Sequence, residues 1–503
     1  MDENFIHLKK IAKGAGIVLV GLLLGKIFAS IFSIIAARIG PSQYGIFSLG
    51  TTIIDFFIII SLFGMHEGVI RYVSFYLGKK DMPRVKSAIT MSIKYSMIAS
   101  FVMSILLFFL APIISVKLFN KPELIPILRI LIIALPFSVL ARIFIYSLRA
   151  FHKVKEQIIS EEIIFKSLKV MFLIALFAII GVNIYGVIFS QIAGAIVFFV
   201  LSFILLEKTF PIINTKVRGI DYSQELIGYS LPLAFFGMIN SFLAWTDILV
   251  LGHFNSSADV GIYSIAHLAA SMMLLVPFSL LNIFLPIITE VYVTKKDEFK
   301  KIYFIVSRWI FLATFPVFLI MVLFSRQLLS ILFGQEYGAG AVSLSILALG
   351  YLCYGLSQTS INTLNMVKKT KSVLYISIIT LFLNVLLNYL LIPLYGMNGS
   401  AIATTISFLI GSVAAIFFSR KYLNLVPFRK EHLKLFIAGI LALIISYFVL
   451  EILRKLSTML ILNIAIIFVV FFSIYVLLLL LFKSFEQEDK EMFKLIKRKI
   501  GFH

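Results

Sequence analysis

A single cysteine, Cys353, stands among 503 residues, so the chain can form neither an internal disulfide nor a Cys-rich metal site. Charge is scarce as well: 14% of residues are Asp, Glu, Lys or Arg, against about 25% in a soluble domain. Acids are scarcer than bases, 24 against 45, for a net charge of +21. No Gly-rich phosphate loop ending in Lys-Ser/Thr occurs, and no H-E-x-x-H. No polar connection exceeds about 20 residues, which leaves no room for an ATP-hydrolysing domain or a large catalytic loop. The chain is thus expected to have no catalytic residues, no cofactor and no metal, and any energy it uses must come from a gradient or from consumption of its substrate elsewhere.

What remains is apolar: 61% of the residues are hydrophobic. Runs of helix-spanning length, about 20 residues, fall near 12–38, 45–77, 86–116, 123–149, 156–180, 184–206, 223–252, 259–292, 300–324, 340–366, 372–393, 398–419, 433–451 and 458–482. The alternating segments of a membrane barrel are absent. The pattern predicts an all-α polytopic membrane protein of about fourteen transmembrane helices, several long enough to tilt. Charged residues precede the first run and no small-residue cleavage site follows it, so it is expected to be a retained helix rather than a signal peptide.

The positive charge follows topology. With the N-terminus inside, about 31 Lys and Arg fall in inner segments against about 7 in outer ones. One missed helix would invert everything downstream. Both termini are therefore expected in the cytoplasm and the protein in the cell membrane, with residues 483–503 a basic tail that fixes topology. A nucleic-acid partner would need a basic folded domain, and the charge here is spread over short loops.

Two stretches repeat. Gly45-Ile-Phe-Ser-Leu49 lies over Gly261-Ile-Tyr-Ser-Ile265, and Leu148-Arg-Ala-Phe-His-Lys-Val-Lys155 over Leu364-Asn-Met-Val-Lys-Lys-Thr-Lys371, both at an offset of about 216 residues. An even number of spans separates the copies, so spans 1–6 and 7–12 read as parallel repeats. The expected organisation is an N-terminal six-helix lobe over 1–206, a second over 223–420, and two additional helices over 433–482. Transporters built this way place the substrate between halves and alternate its access.

Within the spans about seven bases remain: Lys26, Arg71, Lys94, Arg142, Lys166, Lys169 and Arg308. A charge at that depth costs at least about 2.5 kcal/mol on insertion scales and normally faces an interior. Lys26, Ser30 and Ser33 share one stripe, and Glu162, Lys166 and Lys169 repeat its spacing. Together the bases suit an anionic group such as a pyrophosphate, since Lys brings a compact charge and Arg a planar fork. Internal pairing competes with this: Glu162 with Lys166 and Glu67 with Arg71 are each one turn apart, and Arg71 and Arg142 have the length to snorkel. Asp55 and Asp247 are the candidates for coupling to an ion, although pairing with a base is the reading preferred for Asp247. His66 and His267 read as satisfied bundle residues. Gln358, Asn362 and Asn365 share a face, as do Asn384 and Asn388. Helix–helix hydrogen bonds or a bound glycan would satisfy these amides equally.

Four segments carry a family resemblance: Ala37-Arg-Ile-Gly-Pro-Ser-Gln-Tyr-Gly45, Gly68-Val-Ile-Arg-Tyr72, Trp245-Thr-Asp-Ile-Leu-Val-Leu-Gly252 and Tyr395-Gly-Met-Asn-Gly-Ser-Ala401. Together with the repeat they resemble the multidrug/oligosaccharidyl-lipid/polysaccharide exporter superfamily, and within it the polysaccharide-biosynthesis flippases. The resemblance implies two six-helix lobes forming a V, and a polyprenyl-pyrophosphate-linked oligosaccharide carried from the inner to the outer leaflet by alternating access. It implies that the last two helices help form a groove for the lipid tail. Substrate binding is then expected at Lys26, Arg71, Lys94, Arg142, Lys166, Lys169, Arg308, Gln358 and Asn362, in a monomer whose partners are the lipid-linked oligosaccharide, membrane lipid and a coupling ion. The competing expectation is an ion-coupled exporter of small molecules, although drug exporters of the superfamily have twelve helices and acidic cavities.

Overall fold

The computed structural model describes residues 3–213, 222–294, 296–427, 431–456 and 460–484. Nearly all of the expected tail over 483–503 lies outside the described residues, as do the side chains of Asn240 and Glu290. Every regular element among the described residues is helical. This follows from the solvent: hydrocarbon offers backbone groups no partner, so each run must bond to itself.

The chain divides into two compact units. One comprises Val20–Ser264 with Asn388–Met397, and the other Met1–Leu19, Ile265–Leu387 and Asn398–His503. The first unit is built on α1 (Glu3–Ala36) from Val20 onward, α2 (Pro41–Leu62), α3 (Met65–Gly78), α4 (Met82–Pro112), α5 (Leu124–Leu131), α6 (Ala134–Ala150), α7 (Val154–Ile158), α8 (Phe165–Ile180), α9 (Ile184–Thr209) and α10 (Ser223–Phe254). Within it α6 packs on α9 and α9 on α8, while α3 packs on α4, α6 and α10. α11 (Ser257–Ser271) runs from the first unit into the second, which takes in α12 (Leu275–Thr294), α13 (Lys296–Leu323), α14 (Ser325–Phe333), α15 (Ala341–Met366), α16 (Thr370–Leu423) apart from Asn388–Met397, α17 (Glu431–Leu456) and α18 (Leu460–Leu481). There α13 packs on α12, α15 and α17, and α17 pairs with α18.

Among the described residues eleven helices are long and apolar enough to cross a membrane, and bent α10 makes a twelfth. The fold is thus an all-helical multi-pass membrane protein. Two of the long apolar runs are broken. Phe63 (φ 50°) and Gly64 (φ 71°) split the expected 45–77 run into α2 and α3. In α16, whose 54 residues would reach about 81 Å as one rod, Gly396 sits at φ 55°, ψ −133° and bends the helix between the two expected spans. Ile466–Leu481 is a shorter apolar helix.

Local chemistry sets the ends. Gly40 (φ 92°) turns the chain, and Pro41 opens α2 where no backbone N–H is needed. Asp81 caps α4 through the Arg84 N–H at 3.1 Å, and Asn183 caps α9 through the Gly186 N–H at 3.0 Å. The second repeated stretch reappears as one turn built twice. His152 (φ 60°) and Lys368 (φ 61°) end their helices in the left-handed region. The next N–H reaches back five residues in both copies, Lys153 to Leu148 at 3.0 Å and Lys369 to Leu364 at 2.9 Å. This is a Schellman ending, here without glycine.

Candidate functional site

A cavity of about 280 Å³ lies inside the first unit, between parts of α2, α6, α8 and α9. Its charged lining is Arg142, Lys166 and Lys169 on one side of the ledger and Asp55, Glu161 and Glu162 on the other. Thr51, Ser138 and Gln191 add neutral polar groups.

Local geometry explains why one helix supplies four of these six charges. Residues Ile159–Ile164 form a π-helical turn between α7 and α8. The wider turn brings both Glu161 and Glu162 onto the cavity side, with Phe165, Lys166 and Lys169 following on the same face. Tight contacts hold the segment. Gly21 and Gly25 on α1 form a G-x-x-x-G stripe, and a Cβ at either would fall on Ile158 or on the Glu162 carboxylate. Glu162 accepts a hydrogen bond from the Lys166 ammonium, and the pair is largely buried, with side chains 17% and 24% exposed. Lys169 is held differently. Its stem lies against Gly194, where a Cβ would come within 2.5 Å of its Cγ. Its ammonium sits 4.2 Å from the centroid of the Phe32 ring. Asp55 lies within electrostatic reach of both Arg142 and Lys169.

The structure therefore brings Arg142, Lys166, Lys169 and Asp55 together, and not the rest of the expected set. Lys26, next to Gly25, is exposed yet within electrostatic reach of Glu162 and Lys166. Arg71 is exposed and stacks on Tyr229 at 4.1 Å rather than pairing with Glu67, whose neighbour is His66 at 3.9 Å. Lys94 is exposed on α4. Arg308 is buried in α13 of the second unit, 6% exposed. The second unit also holds Gln358, buried with no partner for its Nε2 among the described residues, and Asn362, whose amide donates to the Gln358 carbonyl at 2.8 Å. Asn365 on the same helix is exposed. On the cavity wall three bases meet three acids. Sequence position could not show this, because Arg71, Lys94 and Arg308 sit at span depth without facing that void.

Asp247 is almost wholly buried, 1% exposed. Its carboxylate accepts from the Tyr263 hydroxyl at 2.5 Å and from the Asn388 amide at 2.8 Å. Both of these donors are neutral groups. His267 and the Tyr351 hydroxyl are 2.8 Å apart, as expected of a satisfied bundle residue. His66 stands edge-on to Tyr146, its Nδ1 without a hydrogen-bond partner among the described residues. Sequence reading passed over Glu161 as a cavity residue and Lys121 altogether. The first became legible only through the π-helical turn. The second is a loop lysine among many, yet it is 6% exposed and donates to three carbonyls.

Long apolar helices around a polar, charge-lined void define a polytopic membrane protein. Residues 34–342 match the polysaccharide biosynthesis protein family, and the chain belongs to it. It is 24% identical over 447 residues to an uncharacterized membrane protein of Methanocaldococcus jannaschii, covering 84% of this chain and 86% of that one. It is also 24% identical over 238 residues to a probable low-salt glycan biosynthesis flippase of Haloferax volcanii, covering 46% of this chain and 48% of that relative. Among solved structures, the lipid II flippase MurJ in an inward closed conformation superposes with a TM-score of 0.74, at 16% identity, over 92% of this chain and 98% of the other. That likeness is one of fold.

Proposed function

We propose that the protein is a flippase that moves a polyprenyl-(pyro)phosphate-linked oligosaccharide from the inner to the outer leaflet of the cell membrane by alternating access. The observation that carries this reading is the cavity that gathers Arg142, Lys166 and Lys169 inside a membrane-spanning unit. It stands in a chain of the polysaccharide biosynthesis family with a relative named as a glycan flippase. In this reading the phosphate groups dock on the three bases, and Thr51, Ser138 and Gln191 meet sugar hydroxyls. Counting α10 as one bent span, α16 as two and α18 as the last gives about fourteen spans, with both termini inside. Spans 1–6 and 7–12 are the two lobes, and α17 with α18 flank the lipid tail. Asp55, within electrostatic reach of Arg142 and Lys169, is the residue that would answer a coupling ion in the same cavity.

The test is a leaflet-accessibility assay on lipid-linked glycan in a deletion strain. Glycan should accumulate on the cytoplasmic side, and the intact protein should restore outer exposure. A variant carrying Arg142→Gln, Lys166→Gln and Lys169→Met should insert normally and fail to restore it. Normal glycan display in the deletion strain, with new sensitivity to small cationic drugs, would replace this reading with that of an ion-coupled exporter.

A further inference from the structure

The Gly-Pro-Ser-Gln-Tyr-Gly motif and its repeat copy take no part in the cavity, yet the two copies meet. A Cβ on Gly45 would fall on the Ser257 carbonyl oxygen and lie 2.8 Å from the Gly261 nitrogen. A Cβ on Gly261 would fall on the Pro41 carbonyl oxygen and lie 2.9 Å from the Gly45 nitrogen. One helical turn further along, the buried Ser48 and Ser264 hydroxyls are 2.8 Å apart, at a separation of 216 residues. Pro41 and Ser257, and Gly45 and Gly261, are related by that same offset. Where two residues touch, their counterparts touch as well, Gly45 with Ser257 and Gly261 with Pro41, which is the signature of a local two-fold axis. This local axis passes between the start of α2 and the start of α11. No side chain intervenes there: backbone packs on backbone through two glycines, a contact of the close C–H···O kind.

We infer that the two motif copies form the gate at the outer end of the transport path, and that Lys121 is its latch. The loop charges assign this end to the outside. Lys121, in the connection between α4 and α5, donates to the Gly252 carbonyl at 2.6 Å, the Asn255 carbonyl at 2.8 Å and the Phe119 carbonyl at 3.2 Å. The first two belong to the C-terminal end of α10, where carbonyls lack helical partners and a cation is favoured. Glu123 accepts from the Ser257 hydroxyl at 3.3 Å, tying the same connection to the start of α11. The far end of this helix system is held separately. Gly64 and Gly68 lie against Ser230, and the Tyr72 hydroxyl donates to Glu225 at 3.3 Å. Each end therefore has its own contact set, and one can part while the other holds. A backbone contact without interlocked side chains suits such a seam, because parting it leaves no side-chain pocket empty and the latch loses hydrogen bonds that water can replace.

The inference rests on the transport reading only for its consequence, and the test separates the two. In a Cys353→Ser background, Ser48→Cys with Ser264→Cys is oxidised in membrane vesicles. A protease site inserted between residues 213 and 222 lets the link be read as two fragments that stay joined without reductant. The link should form, and outer-leaflet glycan should fall to under about a tenth of the level given by the reduced protein, returning with dithiothreitol. Absence of the link, or export at the reduced rate in the linked protein, would overturn the gate. A second measurement needs no substrate. In the same background, Ser138→Cys is labelled from outside by an impermeant maleimide, and Gly45→Phe, which wedges the seam, should raise that rate about tenfold or more. An unchanged rate would count against the gate even if glycan export itself proved not to be the activity.

Discussion

Glu162 and Lys166 offer the sharpest test of whether the cavity is an electrostatic device. The lining is formally neutral, Arg142, Lys166 and Lys169 against Asp55, Glu161 and Glu162. A sphere of 280 Å³ has a radius of about 4 Å, so a wall charge acts on a centred phosphate across about 4–6 Å. At an effective dielectric constant of about 20, one unit charge at that range is worth about 3–4 kcal/mol. Water kept in the cavity screens part of this, so we take about 2 kcal/mol, roughly thirtyfold in affinity. Glu162→Gln leaves the wall with one excess positive charge, and inorganic pyrophosphate should bind about thirtyfold more tightly to the purified protein. Lys166→Met leaves one excess negative charge and should weaken binding by a similar factor. The double variant restores neutrality and should bind within a few-fold of the original. Calorimetric titration at two salt concentrations reads all four proteins. Equal affinities throughout, or weaker binding by Glu162→Gln, would show that the wall charges do not face the ligand.

Asp247→Ala removes the acceptor of two buried donors, Tyr263 and Asn388, at about 1–3 kcal/mol each. It should lower the melting temperature in detergent well below that of Asp247→Asn, which keeps one acceptor; equal melting temperatures would mean the network carries no stability. Burial pulls the Lys121 ammonium below its ordinary value, partly opposed by Glu123 and Asp259. The unfolded chain therefore holds that proton more tightly. Stability should rise as pH climbs from the lowered folded value to the unfolded one near 10.5, and Lys121→Met should abolish that rise. A thermal-shift series from pH 8 to 11 on both proteins checks the sign.

The membrane class, the helical fold and most span boundaries were legible because hydrocarbon acts on composition alone: it demands long apolar runs and offers their backbones no alternative to helix. Two recurring stretches were legible as well: Gly40-Pro41 meets a turn that few residues allow, and Gly45 and Gly261 a backbone approach too close for a side chain. Charge inside a span was visible as a list, but not as a site. Lys166 and Lys169 could be paired with Glu162 by spacing along one helix, whereas Arg142 and Asp55 join them only because α2, α6 and α8 pack around one void. Arg71, Lys94 and Arg308 carry the same sequence signal and lie elsewhere, since burial depth along a helix says nothing of which face meets a cavity. A π-helical turn that swings Glu161 inward, a lysine from a loop that closes three carbonyls, and two copies of one motif meeting across their own axis are products of packing between segments far apart in the chain. Sequence determined what the solvent requires of each helix alone; tertiary structure decided which faces look at each other, because that depends on neighbours no local pattern names.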